Sequence, residues 1–357
     1  MYSDSDLDAA VQAGVLSPDN VYALRLYVAG QRAASIPDEE HFRLLTGFND
    51  IFVGIAIIIL LVATAWIGNV LGPLSAGPMK SPLGGILTAG AAWGLSEYFT
   101  RVRRMALPSI VLLLGFAYGV GSAALATGVG LLPEGDDRIM SLLASGAAIL
   151  TAFAIFAHWR RFAVPITIAA LTAALVATVC GLLMASFPML EDAPYGPVLL
   201  CGLAVFALAM RWDMSDRERL TRRADVAFWL HLLAAPLIAH SLFNLLEVFR
   251  SDMSTGAATA VIGLYLLFGV VALVVDRRAL LVSSLAYVLF ALYQLFHRAG
   301  AIELGAALTA LVIGSALLTL SAFWPMARGA ILSRLPSDMR ERLPLASLPP
   351  GPVAAAT

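Results

Sequence analysis

Ten long apolar runs, separated by short turns, fill most of this chain: 48–71, 82–100, 105–127, 139–158, 162–187, 196–211, 226–249, 256–275, 279–297 and 303–324. Crossing the hydrocarbon core of a bilayer takes about 20 mostly apolar residues of helix. Inside that core each backbone N–H and C=O must find its partner within the segment, which leaves the helix as the form such runs adopt. The predicted class is therefore all-α: a polytopic transmembrane bundle of ten spanning helices. Composition agrees, with 60% hydrophobic and only 13% charged residues, where soluble domains run nearer to about half and about a quarter. A soluble enzyme, a disordered chain and a nucleic-acid binder are excluded. The 23 basic and 24 acidic residues leave no global field to attract a polyanion.

The turns carry the orientation signal. All basic residues but Lys80 are arginine, and 19 of the 23 fall before the first run, in alternate turns, or after the last run. Only Lys80, Arg138, Arg250 and Arg298 fall on the other side. Positive residues accumulate on the cytoplasmic side, so the alternation predicts both termini inside. No cleavable leader is expected, because residues 1–47 are polar and acidic and the first run must itself direct insertion. The predicted organisation is an acidic helical hairpin (1–47), the bundle (48–324) and a Pro-rich cytoplasmic tail (325–357), in a bacterial inner membrane.

Arginine pairs recur at 103–104, 160–161, 222–223 and 277–278. Two of these sites match further: Arg103-Arg104-Met105-Ala106-Leu107-Pro108 against Arg160-Arg161-Phe162-Ala163-Val164-Pro165. The match raises duplication of a two-helix hairpin. The period alone also follows from short hairpins with arginine at every cytoplasmic turn.

At the N-terminus, Ser5-Asp6-Leu7-Asp8 resembles a capping box, Gly14 suits a helix stop, and Ser17 with Pro18 suits a helix start. Residues 5–32 thus read as a helical hairpin outside the membrane. Seven acids against three arginines in 1–47 repel nucleic-acid phosphates, so its expected partner is a cytoplasmic protein or the face of the bundle. In the tail, Arg334, Arg340 and Arg342 with Leu332, Leu335 and Leu343 suggest a short segment on the anionic leaflet.

Polar residues inside a membrane are costly and mark candidate sites. The seventh run holds most of them: His231, Pro236, His240, Asn244 and Glu247. On a helix, Asn244 lies about 40° from His240 and Glu247 about 20° to its other side, so these three form one stripe, with His231 on the opposite face. The stripe reads either as the lining of a polar cavity or as hydrogen-bonding glue between helices. His297 and Glu303 flank the last non-cytoplasmic turn and are secondary candidates. A zinc site needs at least three converging ligands, so no metal and no cofactor are expected. Cys180 and Cys201 fall at similar depth on consecutive helices and read as two small buried thiols, with a disulfide on the oxidising side as the alternative. Glu97 suits local pairing with Arg101, and His158, Trp159 and Trp212 suit the interfacial aromatic belt. Gly90-x-x-x-Gly94 and Gly115-x-x-x-Gly119 suit close helix packing. No Gly-rich phosphate loop, His-Glu-x-x-His or Gly-x-Ser-x-Gly motif occurs.

The acidic segment around Ala13-Gly14-Val15-Leu16-Ser17-Pro18, the many-helix layout, and turns such as Glu97-Tyr98-Phe99-Thr100-Arg101 running into Ala106-Leu107-Pro108-Ser109 resemble those of bacterial multi-pass inner-membrane proteins of unknown function. The resemblance implies a helical bundle in a bacterial inner membrane and no assigned substrate. Three functional classes follow from the residues. One is a sensing, scaffold or assembly protein that uses the N-terminal hairpin. A second is a small-molecule transporter with a polar cavity on the seventh helix. The third, and least favoured, is a membrane-embedded enzyme using His240 and Glu247.

Overall fold

The computed structural model describes residues 11, 13–21, 23, 48–72, 81–132, 136–190, 194–217, 219, 221–246, 255–298, 304–341 and 343. It divides the chain into two units, Arg43–Leu345 and a second made of Met1–Phe42 with Ala346–Thr357. Of the second unit, Gly14 adopts a left-handed φ of 72° and the Ser17 hydroxyl accepts from the Asn20 N–H at 3.1 Å. A helix stop followed by a capped start is what Gly14 and Ser17 suggest. The rest of the expected 5–32 hairpin lies outside the described residues.

The large unit is all-helical among its described residues. Ten helices occupy the ten apolar runs: α1 (Phe48–Leu71), α2 (Pro82–Ser96), α3 (Ala106–Leu131), α4 (Asp137–Phe162), α5 (Ile166–Ser186), α6 (Tyr195–Met214), α7 (Arg222–Leu245), α8 (Thr255–Val275), α9 (Ala279–Arg298) and α10 (Gly305–Ala322). Two short helices follow, α11 (Trp324–Leu332) and α12 (Ser337–Arg340). Among the described residues, eight helices are long and apolar enough to cross a membrane, the make-up of a multi-pass membrane protein. The other two runs fall short in different ways. The α-helical part of α2 is only 15 residues and continues as a π-helical turn over Glu97–Val102, while the apolar stretch counted for α8 is Thr259–Val275.

Local chemistry sets the helix starts. Ser81 caps the Leu83 N–H at 3.2 Å with Pro82 in the first turn, Asp136 caps Ile139 at 2.8 Å, and Thr221 caps Arg223 at 3.2 Å. The tightest helix pairs are those joined through the arginine-bearing turns, with α2 on α3, α4 on α5 and α6 on α7. Each arginine-bearing turn contains one non-glycine residue in the left-handed region: Arg104, Ala163, Arg219 and Asp276, with φ between 52° and 60°. The two matching motifs nevertheless fold differently. The left-handed residue is the second arginine in one copy (Arg104) but stands two places further on in the other (Ala163).

Glycine brings the first three helices together, at Gly115 and Gly119, which the spacing singles out, and at Gly68, Gly84 and Gly85, which it does not. A Cβ on Gly68 would lie 2.6 Å from the Gly84 Cα, and one on Gly85 would lie 2.5 Å from the Gly119 carbonyl oxygen. The Gly90 and Gly94 pair meets nothing within 4 Å; Gly84 and Gly85 pack α2 instead. The largest core is centred on α7, where Leu230, Ala234, Ala235, Ile238 and Phe243 meet Val205 and Ala209 of α6 and Tyr287 and Ala291 of α9. At the C-terminal end, Trp324 and Ile331 of α11 pack with Ala272 and Leu273 of α8. Leu332 and Leu343 are buried as well, while Arg334 and Ser337–Arg340 between them stay exposed. Residues 344–357 lie outside the described residues.

Candidate functional site

The polar residues of α7 sort into two clusters at its two ends. His231 and His240 are nine residues apart, which turns them to opposite faces, and their surroundings differ accordingly.

Toward the arginine-bearing end, His231 is buried and its Nε2–H donates to Asp213 Oδ2 at 2.8 Å. The same carboxylate is forked by Arg277, with Nη2 to Oδ1 at 2.7 Å and Nε to Oδ2 at 3.3 Å. The Asp213 side chain is fully enclosed, and those of His231 and Arg277 are 2% and 6% exposed. Arg277 also donates to the Ala224 carbonyl at 3.3 Å. Burying a charge is costly unless it is paired and hydrogen-bonded, and a bidentate guanidinium–carboxylate contact is the strongest pairing side chains offer. These three residues therefore tie the end of α6, the start of α7 and the α8–α9 turn into one clamp.

A second clamp adjoins it. Asp276, left-handed at φ 60°, accepts from Arg219 Nη1 at 2.9 Å and from the Trp324 indole N–H at 2.8 Å. Arg219 Nη2 reaches the Val275 and Asp276 carbonyls at 3.3 Å. Burial, and then the neighbouring Arg277 cation, lower the proton affinity of Arg219, while Asp276 and Asp213 act the other way. Arg328 of α11 donates to the Leu273 carbonyl at 3.2 Å and stands 3.7 Å from Asp276. Arg278 lies over the Trp324 ring at 4.8 Å, within cation–π range. The sequence points to His231 alone. Asp276 abuts an arginine pair and reads as interfacial, and Asp213, just past the sixth apolar run, is not singled out. The available signal is the placement of two acids among the arginines at the turns on either side of α7 and α8.

In the other half of α7, the His240 Nδ1 is hydrogen-bonded to the Tyr287 hydroxyl of α9. The Asn244 side-chain amide donates to the His240 carbonyl at 2.8 Å. Tyr195 of α6 meets the imidazole edge-on, with ring centroids 5.7 Å apart. His240 itself stays exposed and Asn244 half-buried. Glu247 and Glu303 lie outside the described residues. His297 is exposed at the end of α9 and stacks on Tyr293 of its own helix at 5.8 Å. Among the described residues, no three His, Cys, Asp or Glu side chains converge as a metal would need. α7 runs unbroken through Pro236.

Four further residues depart from, refine or match their sequence reading. His158 is not in an interfacial belt: it is fully buried among Trp93, Phe116 and Phe162. Glu97 does meet Arg101 at 3.4 Å, but its closer partner is Arg161 of the next arginine pair, at 2.7 and 2.9 Å. Cys180 and Cys201 are both free thiols, with sulfurs 4.0 Å apart on adjacent helices. No protein-family model, curated protein or solved structure matches the chain.

Proposed function

We propose that this is a sensing, scaffold or assembly protein of a bacterial inner membrane, with ten spans and both termini cytoplasmic. The observation that carries the reading is that the acids buried between the ends of α6 and α9 are held by protein donors. Asp213 accepts from both His231 and Arg277, and Asp276 from Arg219 and Trp324. A translocation path needs polar groups left free to exchange partners with a substrate, whereas these groups hold helix ends together. The arginine alternation supports the orientation. The acidic N-terminal segment, with seven acids in 1–47, is the candidate docking element for a cytoplasmic protein.

Transport of a small molecule past α7 is the competing reading. It is favoured by the exposure of His240 beside Tyr195 and Tyr287. One experiment separates the two. Asn244→Cys is introduced in a Cys180→Ala, Cys201→Ala background, and intact membranes of opposite orientation are treated with a membrane-impermeant maleimide. Protection of the folded variant from both sides supports the scaffold reading. Labelling from the side opposite the arginine turns supports an aqueous cavity and transport. Deletion of residues 1–45 adds a second check: the scaffold reading expects loss of function with the bundle intact.

A further inference from the structure

A pocket of about 710 Å³ lies between α1 and the α2–α3 hairpin, far in sequence from the clamps. Its size falls within the range of small-molecule sites. Its three walls are polarised in the same sense. Along α1 the lining runs from Ile58 and Val62 to Asn69, and along α3 from Val111 and Leu114 to Tyr118 and Ser122. These two helices are parallel, being separated by one antiparallel helix, so their polar ends coincide. The start of α2 brings Ser81 to the same end. Ile58 to Asn69 spans eleven residues, about 16 Å of helix. Glycine forms part of the wall: Gly84, Gly85 and Gly115 line the pocket, at positions where a Cβ would collide with the neighbouring helix.

Among the described residues the lining contains no Asp, Glu, Lys, Arg or His, so these residues offer nothing to balance a charged head. Its hydrogen-bonding capacity is also asymmetric. Thr88 and Ser122 already donate their hydroxyl hydrogens to the Gly84 and Gly119 carbonyls of their own helices. The Tyr118 hydroxyl and the Asn69 amide hold no such contact among the described residues, which leaves them as donors in search of an acceptor. Tyr118 sits halfway along a spanning helix and is 66% exposed, a depth at which an unsatisfied hydroxyl is disfavoured. The mouth is lipid-facing: Val62 and Leu114 are 58% and 52% exposed.

We infer that this pocket is a binding site for a neutral acyl-ester lipid of the acylglycerol class. Its chain fills the apolar length from Val111 and Ile58 upward, and its ester carbonyl accepts from Tyr118 and Asn69. Among the described lining residues no cation stands ready for a fatty-acid carboxylate or a phospholipid phosphate, which favours a neutral ester. The inference goes beyond the proposed function and does not depend on it.

The test uses the full-length protein in detergent, a monoacylglycerol carrying a diazirine in its chain, ultraviolet cross-linking and peptide mapping. Adducts are expected on α1 and α3, and unlabelled monoacylglycerol should compete better than palmitate or phosphatidylglycerol. Ala65→Phe, which fills the pocket, should cut labelling at least several-fold. Leu114→Trp serves the same purpose from the mouth should Ala65→Phe not fold. Tyr118→Phe combined with Asn69→Leu should weaken competition by about 10-fold, the effect of losing two neutral hydrogen bonds. Ile59→Phe, on the exposed side of α1 outside the lining, should change nothing. Adducts spread over all spanning helices, labelling indifferent to both plugging variants, or equal competition by palmitate or phosphatidylglycerol would each overturn the assignment.

Discussion

Helices α1 and α7 have the same length, 24 residues, and opposite roles. α1 has the more apolar membrane window, yet only 22% of it is buried; in α7, with its two histidines, proline and asparagine, 56% is buried. In water the ranking would be reversed, because burial there rewards apolar surface. In lipid the tails are as apolar as leucine, so an apolar side chain gains little by turning inward. A polar one must turn inward or find a partner. α7 is central because His231 and the neighbouring Asp213 and Arg277 need each other. α1 is peripheral because Ile55, Ile59 and Val62 are already at home in lipid. Close backbone approach at Gly68 and Gly84 and the packing of Ile57 and Leu61 on Leu112 and Phe116 help attach α1 to the bundle through van der Waals contact.

That contrast makes graded predictions, testable by thermal unfolding of the purified protein in detergent. The largest effect belongs to the clamp. Asp213→Ala strands Arg277 and His231 in a buried site and should cost about 3–5 kcal/mol, whereas replacing all three by apolar residues of similar size should recover much of that loss. If Asp213→Ala behaves like a lipid-facing change on α1, the contrast collapses. Next comes glycine packing. Gly85→Leu drives a side chain against the Gly119 backbone and should cost about 1–3 kcal/mol, as overpacking does. His240→Phe removes one hydrogen bond to Tyr287 and should cost about 0.6–1.5 kcal/mol. The smallest effect is expected at Gly90→Leu, which meets open space and should stay within about 0.5 kcal/mol. A large loss at Gly90 would mean that another helix packs on that face.

The His158 pocket sharpens the comparison from the other direction. This imidazole is as enclosed as His231, yet its surroundings are the rings of Trp93, Phe116 and Phe162. Neither of its nitrogens has a hydrogen-bond partner among the described residues. The first half of the bundle thus holds a buried histidine by aromatic packing, while the second holds one by charge.

The helical class, the ten runs and the location of the arginine turns were legible in the chain itself. Helix α1 begins and ends at residues 48 and 71, where its apolar run does. Hydropathy is a property of the segment and needs no knowledge of neighbours. The importance of α7 was legible for the same reason, since polar residues stand out against an apolar background. Their partners were not. Asp213 and Arg277 are 64 positions apart, and Glu97 and Arg161 equally so. Helical spacing describes which residues share a face and says nothing about which helix that face meets. Glycine spacing was legible only in part: Gly115 and Gly119 do lie at a close helix contact, but Gly90 and Gly94, with the same spacing, meet nothing, and Gly84 and Gly85 face the neighbouring backbones instead. The sequence alone determined that the chain partitions into lipid as helices, because transfer from water to hydrocarbon is a local, additive quantity. Which polar groups saturate one another, and where a pocket stays open, only the tertiary structure decided, because both depend on the relative rotation and approach of helices distant in the chain.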